Sequence, residues 1–229
     1  YEFLVRIRTI RFISTIRILV SVICMDSFHK LADLFREFPG IGPRQAKRFV
    51  YFLLARDSTF LSELVRRIGT LQSDIAECGS CRRFFQKRGS PLCAACADPN
   101  RSDAELIVVA KDTDLDAIEK SGSFSGRYFV LGGTIPLLEK KSSQKIRSKE
   151  LIQLTEKKAK AGTLHEIILA LSANPDGEHT ADELRKMLSP IAKQYSLTIA
   201  TLGRGLSTGS ELEYADSETI RSALRNRSK

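Results

Sequence analysis

The chain is 229 residues long, 42% hydrophobic and 28% charged, with a formal net charge of +9, no tryptophan and only 7% aromatic residues. That size and balance suit one large or two small globular domains with a buried core. The surplus of Lys and Arg favours a polyanionic partner, and the scarcity of aromatics argues against an extended base-stacking platform.

Residues 1–24 are apolar and β-branched, interrupted by Arg6, Arg8, Arg11 and Arg17. The longest charge-free run, Ile18 to Cys24, is too short to span a bilayer as a helix. No small-residue cleavage site precedes Asp26. We read the stretch as a non-native or unassigned extension, with a targeting or membrane-surface segment as the alternative, and set it outside the fold.

From Ser27 to Phe38 the residues Phe28, Leu31, Leu34, Phe35 and Phe38 recur at helical spacing. Pro39 blocks continuation, Gly40-Ile41-Gly42 follows, and Pro43 suits the first position of a new helix. That helix carries Ala46, Phe49, Val50, Leu53 and Leu54 on one face. A third, from about Ser58 to Ile75, is expected to turn Leu61, Leu64, Val65, Ile68, Leu71 and Ile75 inward.

The turn FPGIGPRQAKRF, residues 38–49, has the form of a helix–hairpin–helix motif. Gly40 and Gly42 permit close backbone approach, and the free N–H groups opening the second helix suit a phosphate. Arg44, Lys47 and Arg48 stand on the first turns of that helix, where they could neutralise backbone charge without reading bases. The competing readings are a tight interhelical turn with a solvated basic face and an oligomer contact.

Four of the five cysteines lie between positions 78 and 96. Cys78-x2-Cys81 and Cys93-x2-Cys96 form two knuckles, each able to place both thiolates on one ion. Two knuckles complete a tetrahedral four-sulfur shell with no open position, so one structural Zn²⁺ is expected, with reduced unliganded thiols or an iron–sulfur cluster as the alternatives. Paired cysteines of this kind point to a reducing, cytoplasmic compartment.

The remainder alternates. Leu106 to Ala110, Arg127 to Leu131, Glu166 to Leu171 and Leu197 to Leu202 read as strands. Asp114 to Lys120, Leu151 to Ala161, a segment opening at Thr180 with Glu183 as a capping box, and Ser217 to Leu224 read as helices. This pattern predicts an α/β parallel sheet with flanking helices on both faces, preceded by a small all-α unit. The Lys- and Ser-rich residues 138–150 read as a loop.

Asp112, Asp114 and Asp116 suit a helix N-terminus better than a metal cluster. Asp176 and Glu178, beyond a parallel strand, are candidates for a weak magnesium site or a partner contact. His165 and His179 have no evident nucleophile beside them. Gly203 to Gly209 lacks the ending of a nucleotide-binding loop and reads as a turn.

The order of helix–hairpin–helix, four-cysteine zinc finger and α/β domain resembles the bacterial RecR family. The segment AIEKSGSFSGRYFVLGGTIPL, residues 117–137, resembles the family's Toprim domain, and Leu202 to Asp216 resembles its C-terminal stretch. The resemblance runs from about Met25 to Asn226. It implies a helix–hairpin–helix domain at 25–77, a zinc finger at 78–97, a Toprim-like domain at 103–196 and a C-terminal strand, loop and helix at 197–229. It implies a non-enzymatic clamp or mediator in recombinational DNA repair that helps to load a recombinase onto single-stranded or gapped DNA. The implied partners are duplex DNA and single-strand/duplex junctions, RecO-like and RecF-like repair proteins, and further copies of itself in a ring; no membrane is implied.

Two departures matter. Where the family has Val-Val-Glu, this chain has Val108-Val109-Ala110, followed by Lys111. The Asn174-Pro175 pair lies two residues later than in the family, directly before Asp176-Gly177-Glu178. The alternative function, a metal-dependent Toprim nuclease or topoisomerase-like enzyme, needs carboxylates to hold Mg²⁺. Ala110 removes one, so no catalytic residue is assigned.

Overall fold

In the computed structural model the described residues are 27–137, 146–203, 215 and 217–225. The extension at 1–24 and the glycine-rich turn beyond Gly203 lie outside them. The chain divides into two compact units, Tyr1–Leu71 and Gln72–Lys229.

The described residues of the first unit form helices. Helix α1 covers 27–36 and α2 covers Pro43–Leu54; α3, Ser58–Asp74, lies mostly in this unit. Ala32, Ala46 and Val50 are buried between α1 and α2, with Phe28, Leu31, Phe35 and Ile41 packed around them. The Asp57 carboxylate accepts the Phe60 amide at 2.7 Å, which caps the start of α3.

The inward face expected of α3 is not buried. Val65 is 70% exposed, Ile68 64% and Leu71 59%, and no α3 residue is fully covered. Periodicity detects an apolar stripe but not what covers it. The helix also stops at Asp74, since Ile75 opens a strand.

The second unit begins with a hairpin of β1 (Ile75–Glu77) and β2 (Phe84–Gln86), followed by the short helix α4 (Ala94–Ala97). A four-stranded sheet follows, with β3 (Glu105–Val109), β4 (Arg127–Val130), β5 (Glu166–Ala170) and β6 (Thr198–Thr201) in the order β4-β3-β5-β6, all neighbours parallel. The crossovers contain α5 (Asp112–Ser121), α6 (Ser148–Lys160) and α7 (Pro175–Tyr195); α8 (Ser217–Arg225) comes last. Within the expected loop at 138–150, residues 138–145 lie outside the described residues and 148–150 already belong to α6.

Alternation divides the strand side chains between two cores. Leu106, Val108, Phe129, Leu131, Ile167 and Leu169 face one way, against Leu151 of α6 and Leu184 and Leu188 of α7. Ile107, Val109, Tyr128, Val130 and Ala170 face the other, against Leu115 of α5 and the cysteines. Both faces are covered, as the α/β reading requires, but one cover is α5 together with the cysteine segment.

Helix α7 starts five residues before the expected Thr180. The side chain of Asn174 accepts the Gly177 amide at 2.8 Å and caps it, with Pro175 in the first turn. Gly177 is dictated by crowding, because a Cβ there would overlap the Ser172 carbonyl.

After β4 the chain turns through Gly132, in the left-handed region at φ +86. A Cβ on Gly132 would lie 2.8 Å from a guanidinium nitrogen of Arg147. Arg147 needs that space: it donates to the Val130 carbonyl at 3.2 Å and pairs with Glu77 at 3.3 Å.

Candidate metal centre and nucleic-acid interface

The four cysteines converge. Cys78 follows β1, Cys81 closes the turn of the hairpin, Cys93 precedes α4 and Cys96 lies within it. Their sulfurs all lie within 4.8 Å of one another, and the Sγ atoms of Cys81 and Cys93 are 3.6 Å apart. A tetrahedron with metal–sulfur bonds of about 2.3 Å has sulfur–sulfur edges of about 3.8 Å, so the four thiols are gathered near enough to share one metal ion.

The local backbone turns toward the sulfurs. The Cys93 amide donates to Cys78 Sγ at 3.4 Å, and the Gly79 amide donates to the Pro91 carbonyl at 3.0 Å, tying one knuckle to the other. Arg82 takes a left-handed φ of +65, which returns the chain so that the Cys78 amide meets the Arg83 carbonyl at 2.8 Å.

Crowding of the sulfurs splits their acidities. The hydrogen bond with Cys93 holds the Cys81 thiol above its usual range, and the same bond, with one from Cys96, holds Cys93 below it. Thiols this close cannot all ionise alone; a divalent cation at their centre would hold all four as thiolates. Among the described residues the cysteines form the one convergent group of three or more metal-ligating side chains.

The acidic residues are engaged elsewhere. Asp114 accepts the Lys111 amide at 3.0 Å, capping α5 as its position suggests. Asp112 accepts the Phe84 amide at 2.9 Å, and Asp116 pairs with Arg83 at 2.7 Å, so both fasten β2 and its approach to α5. Asp176, in the first turn of α7, accepts the Leu137 amide at 3.0 Å. Glu178 shares that turn, and Ala110 is buried at the end of β3.

The hairpin residues lie in the first unit. Gly40 adopts φ +77, and Gly42 precedes α2 in an extended conformation. With glycine there and Pro43 next, the helix start has no side-chain cap and no acidic residue in its first turn. Arg44, Lys47 and Arg48 are exposed, and Arg48 donates to Gln45 at 3.3 Å. The basic side chains and the open helix end therefore sit together on one exposed segment.

Sequence reasoning did not single out Arg127. Its guanidinium, only 15% exposed, donates to the carbonyls of Ala95, Cys96 and Asp98 at 3.1–3.2 Å and to Asp103 at 3.0 Å. Lys158 also reaches Asp103, at 2.6 Å, and this contact holds the Asp103 carboxyl below its usual range. A charged residue opening a strand of apolar neighbours was the available signal.

The Toprim domain model matches residues 104–203, and the model described as RecR, C-terminal, matches 205–228. Recombination protein RecR of Legionella pneumophila is 34% identical over 203 residues, covering 89% of this chain and 96% of that protein. Its namesakes from Chloroflexus aggregans and Thermobifida fusca are each 35% identical over 198 residues, covering 86% of this chain and 91% and 94% of theirs. No helix among the described residues is long and apolar enough to cross a membrane.

Proposed function

The chain belongs to the RecR family, and on that premise we propose that it is a non-catalytic, DNA-binding mediator of recombinational repair. The observation that carries the DNA role is the uncapped, acid-free start of α2 flanked by Arg44, Lys47 and Arg48. An open helix terminus and three exposed cations suit a phosphodiester backbone of any sequence. Duplex DNA and single-strand/duplex junctions are the proposed ligands, with RecO-like and RecF-like proteins as partners.

The four cysteines hold one structural Zn²⁺ in this reading. When bound, the ion supplies cross-linking between the two knuckles; Cys78, Cys81, Cys93 and Cys96 fill its shell and leave no place for substrate. The residues serve as a hairpin domain at 25–77, a zinc finger at 78–97, a Toprim-like domain at 103–196 and a C-terminal segment at 197–229.

The absence of turnover is supported by the carboxylates. Ala110 offers no ligand, while Asp112, Asp114, Asp116 and Asp176 each accept a hydrogen bond or ion pair within the fold. Asp176 and Glu178 remain a weak magnesium or partner contact at most. Self-association is supported by the apolar side chains that α2 and α3 leave open, including Leu54, Val65 and Ile68.

The test is a binding isotherm for gapped and duplex DNA at several salt concentrations with the full chain, alongside its zinc content. Binding that weakens log-linearly with salt, with one zinc per chain, is the expected result. Salt-independent or absent binding refutes the DNA reading; zinc-free protein purified without chelator refutes the metal reading.

A further inference from the structure

The cysteine segment has almost nothing of its own to hold it. Its strands are three residues each and α4 is four, far below the length at which a helix or hairpin persists alone. Cys78, Cys81 and Cys93 instead share a core with Ile107, Val109, Leu115, Tyr128 and Val130 of the sheet and α5.

The seam between them is polar and specific. Strand β4 is an edge strand, and the Val130 amide, pointing out of the sheet, donates to the carbonyl of Cys81 at 2.8 Å. Three residues earlier, at the start of the same strand, the Arg127 guanidinium gathers the carbonyls of Ala95, Cys96 and Asp98, the carboxyl end of the helix that carries Cys96. A helix end presents unpaired carbonyls and partial negative charge, and a cation fits there. Thus each knuckle is tied to β4 through the backbone of one of its own cysteines.

From this geometry we propose that Arg127 is a positioning residue for the metal centre, and that the centre and the β4 edge open and close as one unit. The inference rests on the zinc reading above. Metal holds the two knuckles together; only then do the Cys81 carbonyl and the end of α4 stand where Val130 and Arg127 meet them. Conversely, Arg127, fixed by Asp103, holds α4 so that Cys96 stays with the other three sulfurs. Losing the metal would leave β4 with an unsatisfied edge amide, the group that sheets otherwise cover. Strand β5 is flanked by β3 and β6 and makes no part of the seam.

The experiment uses the full chain as purified, after its zinc content is measured, so that a metal-free protein counts against the zinc reading and not against this coupling. Hydrogen exchange is followed with and without a high-affinity zinc chelator. The expected result is joint loss of protection in 78–97 and 127–131, with Glu166–Ala170 still protected. Retained protection at 127–131 overturns the proposal, and so does loss extending through Glu166–Ala170, which would make the metal a requirement of the whole sheet. Zinc release to a chromogenic chelator is then compared in Arg127→Lys, which keeps the charge but has no second nitrogen to hold Asp103 while the first meets the three carbonyls. Release about tenfold faster or more is expected, the scale on which outer-shell partners act. Asp103→Asn, which frees the guanidinium without removing it, is expected to act in the same direction and serves if Arg127→Lys does not fold. Wild-type release rates in the folded variants overturn the proposal.

Discussion

The Ile135 amide donates to the hydroxyl of Thr180 at 2.8 Å, joining residues 45 apart in sequence. Thr180 in turn donates to the Asp176 carbonyl at 2.6 Å, one turn back along α7. The hydroxyl is fully buried and passes a hydrogen bond from the loop after β4 into the helix. Thr180→Val keeps the volume but leaves the Ile135 amide without an acceptor. It should destabilise the protein by about 1–3 kcal/mol in denaturant titration; a neutral substitution would show that this bond contributes nothing net.

Thr180 also shows where sequence reading succeeds and where it fails. A Thr three residues before a Glu has the form of a capping box, but Thr180 lies inside the helix, where it accepts from a distant loop and donates to the preceding turn. The true cap, Asn174, stood two residues before Asp176 in a segment read for its carboxylates. The four strands of the parallel sheet are legible as short apolar runs, whereas the three-residue strands β1 and β2 are not, and the cysteine cage is legible because its spacing alone implies convergence. What was not legible depended on tertiary neighbours. Asp112 and Asp116 look alike in sequence to Asp114, yet two grip the cysteine segment and one caps a helix. The exposed α3 stripe reads as core in the sequence because amphipathicity is the same whether the cover is this chain or another.

The hairpin cations should set the ionic part of DNA affinity. Replacing Arg44 and Arg48 together by Ala should weaken binding to all sequences alike and flatten the salt dependence by roughly one to two units of slope. An unchanged slope in fluorescence anisotropy would place the DNA face elsewhere.

The open stripe on α3 should matter for assembly rather than for folding. Ile68 is 64% exposed, so Ile68→Glu should leave the melting temperature nearly unchanged while lowering the mass of the particle in solution. A variant with wild-type mass by light scattering would remove this helix from the interface.

Asp176 accepts a backbone amide and has no neighbouring ligand at position 110. Single-stranded, nicked and supercoiled DNA should therefore remain intact in the presence of Mg²⁺ or Mn²⁺. Metal-dependent cleavage that co-purifies with the protein and vanishes in Asp176→Ala would establish the enzyme reading instead.

Asp103 makes a prediction for acid. The hydrogen bond from Lys158 lowers its pKa, partly opposed by burial and aided by Arg127. A carboxyl depressed in the fold stabilises it fully above its unfolded value, near 3.9, and loses that contribution as pH falls through the folded value. Asp103→Asn should thus be less stable than wild type at neutral pH and lose less further stability between about pH 4 and pH 2. Parallel losses in the two proteins would mean that the contact is electrostatically idle.

Gly132 and Arg147 occupy one volume between them: the space a Cβ would take is where the guanidinium lies on its way to Glu77 and the Val130 carbonyl. Mutational routes through these two positions are therefore narrow. A first step at 132 drives out the arginine and adds a side chain to a left-handed backbone, whereas a first step at 147 gives up the nearer of the two cations beside Glu77. Either intermediate is a less stable protein than its ancestor, so drift at one position is held in check by the identity of the other.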